Sequence, residues 1–446
     1  MKRLFGTDGI RGQAGEPPLD PGGVRRFGAA LGEVLREERA QPRAVLGRDT
    51  RESGPWLRDA VASGLASRGA DVVDAGVITT PGLAWIVGAG GFDAAVMISA
   101  SHNPYLDNGL KVFGGNGIKL SDANEARIER LLLDDGRLGA VADGWHGSED
   151  GAWRERYVDK LERVLPAGRL RGRRVVLDCG HGAATSIAPG VFAHYGAAVE
   201  TIGAAPDGRN INLDCGSLHL AGLAGEVQRR GASLGIAFDG DADRALAVDR
   251  RGRTVEGDHV LYLTARRLHR LGRLRGSAVV ATIMSNYWLE RRLAAEGIRL
   301  HRAPVGDKYV LETMLEHDLV LGGEQSGHVI FREHATTGDG ILTGLLLLDT
   351  LAEESESLEQ ILDGIVPLPQ VLLAVRVGAK PDLRVHPRIG PLLSDIEAEL
   401  VGTGRVVLRY SGTEPVARVM VEGEDETTVR RHAERLAATI REELGA

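Results

Sequence analysis

The sequence predicts three α/β domains in tandem followed by a smaller α+β domain. Three observations carry that expectation. The 446 residues exceed what one hydrophobic core normally holds. Short apolar runs rich in valine, alanine and isoleucine alternate with helical stretches, the rhythm of βαβ units on a mostly parallel sheet. That rhythm starts three times and changes character after residue 366.

In the first unit, from Val24 onward, strands are expected at residues 44–46, 71–77 and 94–98, with a helix at 56–67. Strands resume at 174–177 and again at 278–283. Polar or proline-bearing stretches at 143–150, 249–257 and 366–370 read as linkers, which gives domains 1–148, 149–250, 251–366 and 367–446. The last domain reads as strands at 371–377, 405–410 and 416–422 with a helix at 427–444.

Composition narrows the function. Hydrophobic residues at 43% and charged residues at 26% describe a folded chain. A net charge of -8 argues against nucleic acid, which needs a broad basic face, whereas a small anion needs only a local basic pocket. The amino terminus offers only Leu4 and Phe5 as an apolar run, too short for a signal peptide, and the leucines at 345–348 stop at Asp349, too short for a bilayer. Cys179 and Cys215 match neither a zinc knuckle nor a redox pair, so a reduced, cytoplasmic protein is expected.

Four strand-like runs each end in a polar loop: VMI into SASHNP, IAF into DGDADR, LVL into GGEQSGH and VVLRY into SGTEP. Ligands of α/β sheets sit beyond the carboxyl ends of strands, so these loops are candidates to share a cleft. Asp239, Asp241 and Asp243 alternate with Gly240 and Ala242, which lets three carboxylates face one hard cation. Magnesium suits them, since it takes few protein carboxylates and completes its shell with water and phosphate oxygens; the plain alternative is a solvated turn. A calcium EF-hand is excluded, because Arg244 and Arg250 stand where its loop needs glycine and glutamate.

Ser101 alone reads as readily as a capping serine in a turn, and no G-x-S-x-G elbow surrounds it. With the aspartates it gains a role, because a phosphate on it would bring about -1.5 to -2 charges and an oxygen ligand for the cation. Arg409, Ser411, Gly412 and Thr413 have the parts of a phosphate cradle, or of an ordinary turn. Glu324 and Ser326 suit sugar hydroxyls, and His328 suits either proton transfer or a structural role. A dinucleotide fingerprint is imitated at residues 180–185, but Thr185 replaces its last glycine and Pro189 interrupts the following helix. No nucleotide-cradling G-x-x-x-x-G-K-[ST] loop occurs.

Across nearly its whole length the chain resembles the α-D-phosphohexomutase family. The resemblance rests on FGTDGIRG at 5–12, GRDTRESG at 47–54, ISASHNP at 98–104, DNGLK at 107–111, FDGDADR, VGDKYVLE at 305–312, GGEQSGH, TTGDGIL at 336–342 and RYSGTEP. FGTDGIRG together with EQSGH is most similar to the bacterial branch acting on glucosamine phosphates. The resemblance implies a heart-shaped, four-domain fold, one Mg2+ per subunit held by Asp239, Asp241, Asp243 and a phosphorylated Ser101, and a homodimer. It implies that Arg11, Lys111 and Arg244 line the reaction centre, with Lys111 and His328 moving protons. Glu324 and Ser326 would bind the sugar, and Lys308, Arg409, Ser411, Gly412 and Thr413 its phosphate. The implied reaction interconverts glucosamine 6-phosphate and glucosamine 1-phosphate through a sugar 1,6-bisphosphate; glucose or mannose phosphates are the alternative substrates.

Overall fold

The computed structural model describes residues 4–6, 8–134, 138, 141, 144–411 and 414–445. Two compact units form: Met1–Thr282 with His301–Glu359, and Ile283–Leu300 with Gln360–Ala446.

The first unit carries two complete sheets and most of a third. Strands β1 (Ile10–Gln13), β2 (Arg43–Arg48), β3 (Asp71–Val77), β4 (Ala94–Ile98) and β5 (Asp107–Gly114) make the first, in the order β1-β5-β4-β2-β3. Every residue of β4 is buried, as its unbroken AAVMI run requires of a strand covered on both faces. The helices Pro21–Glu38 and Gly54–Ala66 pack against each other, and Asp20 caps the former by accepting from Gly22 N and Gly23 N, both at 3.1 Å.

The second sheet joins β6 (Arg174–Asp178), β7 (Ala198–Ile202), β8 (Leu234–Phe238), β9 (Ala245–Val248) and β10 (Thr254–Val255) in the order β10-β9-β8-β6-β7. The third joins β11 (Ala278–Thr282), β12 (Arg299–Ala303), β13 (Leu321–Gly323) and β14 (Val329–Phe331) in the order β12-β11-β13-β14. One rule recurs in all three. A parallel pairing (β2 with β4, β6 with β8, β11 with β13) leads to a strand whose successor turns back antiparallel (β4 to β5, β8 to β9, β13 to β14). The sheets are therefore mixed, and the turns after β4, β8 and β13 hold SASHNP, DGDADR and EQSGH.

The imitation of a dinucleotide site dissolves here: a short 3-10 turn at Ala183–Ser186 precedes the helix Ala188–His194, Pro189 occupies that helix's first turn, and Glu200, near the spacing of a ribose-binding acid, is ion-paired with Arg230. No helix among the described residues is long and apolar enough to cross a membrane.

In the second unit β15 (Gln370–Arg376), β16 (Gly404–Tyr410) and β17 (Val416–Gly423) form an antiparallel sheet in the order β15-β17-β16. Helices Ile389–Glu399 and Glu426–Leu444 share its core through Leu393, Ile396, Val419, Val421, Ala433 and Leu436. Residues 283–300 belong to this unit through named bonds. Asn286 exchanges two hydrogen bonds with the Leu368 backbone, Nδ2 to O at 3.0 Å and N to Oδ1 at 3.2 Å, and Arg405 donates to Ser285 O at 2.7 Å.

Candidate active site

Ser101 lies just beyond β4, fully buried and with φ 54°, in the left-handed region that residues other than glycine seldom adopt. Buried donors pin that backbone. The Ser101 amide donates to Ser99 Oγ at 2.9 Å, and Ser99 Oγ donates to Asp49 Oδ2 at 2.7 Å. Arg51, also fully buried, sets its Nε on Asp49 at 2.9 Å and gives its remaining donors to the carbonyls of Ser101 (2.9 Å), Asn103 (2.8 Å), Asp107 (3.0 Å) and Pro104. Asn212 Nδ2 adds a second bond to Ser101 O at 2.9 Å.

The loop after β8 meets this one. Asp239, Asp241 and Asp243 are buried, and one oxygen from each lies within 4.8 Å of the others. Ser101 Oγ donates to Asp239 Oδ2 at 2.5 Å. Gly240 permits the approach: a Cβ there would stand 2.6 Å from Ser101 O. Thr80 secures the loop by donating its amide to Asp241 O at 2.9 Å and its hydroxyl to Asp241 Oδ2 at 2.5 Å, and Gly340 N donates to Ala242 O at 2.9 Å. Burial, with the like charges of Asp243 and Asp241 beside it, holds the Asp239 carboxyl well above its ordinary value. Burial also acts to raise Asp243, but Lys111, then His328 and Arg244, pull it well below.

Cations and acids alternate around the aspartates. Lys111, on β5 opposite Met97 of β4, donates to Asp241 at 2.7 Å and Asp243 at 3.1 Å, and stands 3.1 Å from Asp8. Lys119 bridges Asp8 (2.5 Å) and Asp307 (2.7 Å). Asp307 lies 3.4 Å from His328 Nε2, whose Nδ1 is 3.8 Å from Asp243. Gly338 N donates to His328 Nε2 at 2.8 Å, so the neutral ring carries its proton on Nδ1, toward Asp243. Burial opposes charge on Lys111, yet Asp241, Asp243 and Asp8 raise its pKa well above the ordinary value. His328 is likewise raised against burial, chiefly by Asp307.

Arg11, on β1, pairs with Asp8; Arg244 donates its amide to Asp239 at 3.1 Å. The Nε atoms of Arg11 and Arg244 are buried without a hydrogen-bond partner, as are Asp241 Oδ1 and Asp243 Oδ1. Two orphaned donors beside two orphaned carboxylate oxygens fit a divalent cation bound together with a phosphate. His102 touches Ser101 Oγ at 3.4 Å and Arg244 at 3.3 Å; burial, Arg244 and Arg11 push it down to about 4, so it is neutral near pH 7.

The EQSGH turn docks on the same centre. Ala245 N donates to Gly327 O at 3.1 Å, and Gly257 N to Gln325 O at 3.0 Å. Glu324 accepts from Gly306 N at 3.1 Å, and its charge acts on Arg244 and His328. Ser326 is exposed. Lys308 instead pairs with Asp122 at 2.6 Å, while its neighbour Asp307 joins the central network.

The fourth loop belongs to the second unit. Register sets Arg409 of β16 directly opposite Arg418 of β17, and burial together with that like charge lowers the Arg409 pKa. Ser411 is buried, its amide donating to Val416 O at 2.8 Å and its carbonyl accepting from Lys380 at 2.7 Å. Gly412 and Thr413 lie outside the described residues.

Ser101, Lys111, Arg11, Arg244, His328, Glu324 and the three aspartates thus come together in the first unit. Sequence reasoning missed Asp49 and Arg51, which hold the serine loop, and Asp8, Lys119 and Asp307, which tie Lys111 to His328. Asp49 and Arg51 had a signal in the D-T-R of GRDTRESG, and Asp307 in VGDKYVLE.

Comparison with known proteins gives a consistent result. Models described as phosphoglucomutase/phosphomannomutase alpha/beta/alpha domains I, II and III match residues 2–137, 155–252 and 256–368, and the C-terminal domain of the same description matches 372–439. A phosphoglucosamine mutase of Solibacter usitatus is 48% identical over 444 residues, covering 100% of this chain and 99% of its own. A phosphoglucomutase/phosphomannomutase family protein from Burkholderia thailandensis superposes with a TM-score of 0.81 at 24% identity, both chains covered fully. An N-acetylphosphoglucosamine mutase of Aspergillus fumigatus, solved with GlcNAc-6P and magnesium, shares the fold at a TM-score of 0.66 and 16% identity over 99% of this chain and 96% of its own.

Proposed function

The chain belongs to the phosphoglucomutase/phosphomannomutase family, and from that premise we propose that it is a phosphoglucosamine mutase interconverting glucosamine 6-phosphate and glucosamine 1-phosphate. The observation that carries the reading is the Ser101 hydroxyl, 2.5 Å from one of three clustered buried aspartates and ringed by Lys111, Arg11 and Arg244.

Asp239, Asp241 and Asp243, with an oxygen of the phosphate on Ser101, would hold one Mg2+, which when bound supplies positive charge to the phosphoryl oxygens. The residues do the rest. The free sugar hydroxyl attacks phosphorus, the bond to Ser101 Oγ breaks, and a sugar 1,6-bisphosphate forms. After the sugar reorients, its other phosphate returns to Ser101 Oγ. Arg11 and Arg244 have unpartnered donors for the transferring group. Lys111, held protonated by three carboxylates, is suited to return a proton to Ser101 Oγ as it leaves; His328 takes the proton of the attacking hydroxyl on Nε2 once that atom is released by the Gly338 amide. Glu324 and Ser326 take sugar hydroxyls. Arg409, Ser411, Gly412 and Thr413 take the phosphate that is not in transfer, and Lys308 can join them only by leaving Asp122.

The same reading divides the chain at residues 148, 250 and 366 and places the enzyme in the cytoplasm as a homodimer, the latter checked by light scattering. The decisive experiment combines peptide mass spectrometry across Ser101 with coupled assays on glucosamine, glucose and mannose phosphates. Phosphate on Ser101 and highest kcat/KM with the glucosamine phosphate are expected, with Ser101→Ala folded and inactive. An active Ser101→Ala variant would refute the scheme.

A further inference from the structure

A second basic pocket lies away from the phosphoserine loop, with a volume of about 230 Å³. The helix Ala152–Leu161 supplies one wall: Trp153, Arg156 and Lys160 recur at helical spacing, and Arg163 follows at the helix end. Trp85 of the helix Thr80–Ala89 faces them. Asp159 is the sole carboxylate of the lining, so cations outnumber anions three to one in a chain that is acidic overall.

These cations are poorly satisfied. Among the described residues no carboxylate pairs with Arg156 or Arg163; Arg156 lies 4.5 Å over the Trp153 ring. By contrast Arg169, Arg266 and Arg267 are locked to acidic partners. The Lys160 Nζ is buried with no hydrogen bond, 3.8 Å from Asp339 and 5.5 Å from the Tyr157 ring centroid. Burial lowers its pKa, with Asp339 only partly restoring it. With its Nζ closed off from solvent beside Asp339, Lys160 adds only its charge, and the donors open to an anion are those of Arg156 and Arg163.

We propose that this pocket binds a small anion carrying a planar ring, of the size and chemistry of a nucleoside monophosphate. The guanidinium groups suit a phosphate, and the Trp85 indole offers stacking surface to a base, the Trp153 ring being covered by Arg156 and Phe92. A volume below the range of drug-sized pockets, roughly 300–1,000 Å³, limits the ligand to about that size. The site is separate from the reaction centre but joined to it. The Asp339 oxygen near Lys160 also accepts from Tyr157 at 2.7 Å, the other caps Leu342 N at 3.0 Å, and the adjacent Gly338 and Gly340 hold His328 and Ala242.

Calorimetric titration of the full chain with uridine 5′-monophosphate tests this, whether or not the mutase reading holds. Saturable binding is expected, weakened at least about tenfold by the double variant Arg156→Gln/Arg163→Gln and undisturbed by saturating glucosamine 6-phosphate. Both positions are exposed, so the double variant should fold and keep its basal turnover. Inorganic phosphate and uridine, as half-ligands, should each bind more weakly than the nucleotide. No binding at about 10 mM nucleotide, equal affinity in the double variant, displacement by the sugar phosphate, or phosphate binding as tightly as the nucleotide would each overturn the proposal.

Discussion

Arg51 and Asp49 form a fully buried pair whose remaining donors fix the carbonyls around Ser101. Removing one member of such a pair strands a charge in the interior. Arg51→Met is therefore expected to cost about 3–5 kcal/mol in urea unfolding and to disorder the serine loop, with Arg51→Lys recovering only part because it lacks the planar fork. Asp307→Asn keeps the shape but weakens the hold on Lys119 and His328. It should lower kcat by about 10–100-fold with little change in KM, since the network meets the transferring proton more than the bound sugar. Ser101, Lys111 and the three aspartates are legible in the sequence because each sits inside a contiguous motif that implies its chemistry. Asp8 and Asp307 also lie in such motifs, at 5–12 and 305–312, but their roles are not legible there, because their pairings with Lys119 join residues 111 and 188 positions apart and exist only after the sheets pack.

Three of the candidate loops are turns between an interior strand and its antiparallel successor, so the same element delivers Ser101, the three aspartates and the Glu324–His328 stretch from three different sheets. Periodicity exposes the long strands: β3, β4 and β16 fall where alternation and apolar runs place them. It does not resolve β1, β10 or β14, which are two to four residues long and too short to show a period, and the LVL run at 319–321 meets β13 only at its first residue. The helix Gly257–Arg270 carries a testable cap. Glu256 accepts from the His259 amide while His259 Nδ1 accepts from Glu256 N at 3.1 Å, a bond that requires an unprotonated ring nitrogen. Burial, aided by Arg253, pushes His259 down to about 4 from an ordinary 6.5. Between those values the unfolded chain binds the proton and the folded one does not, so stability is full above pH 6.5 and falls as pH drops toward 4. Thermal melts across that window should show the loss, about 3 kcal/mol at most from this group, and His259→Gln should flatten it.

At the level of the whole molecule, two units with separate cores imply more than one unfolding transition. The aspartate cluster belongs to the first unit only. Magnesium at a hundred times its Kd should stabilise that unit by about 2.7 kcal/mol, raising its calorimetric transition. EDTA should reverse the shift, and Asp241→Asn should abolish most of it; equal melting of that unit with and without the ion would count against the metal site. The unit that includes Gln360–Ala446 is discontinuous, because its helix Tyr287–Ala295 is spelled out before the His301–Glu359 segment. During synthesis that helix leaves the ribosome long before its partners Leu368 and Arg405 exist. Trp288, Leu289 and Leu293, buried in the finished protein, must wait in the nascent chain as exposed apolar surface, which makes this stretch the natural foothold for a chaperone.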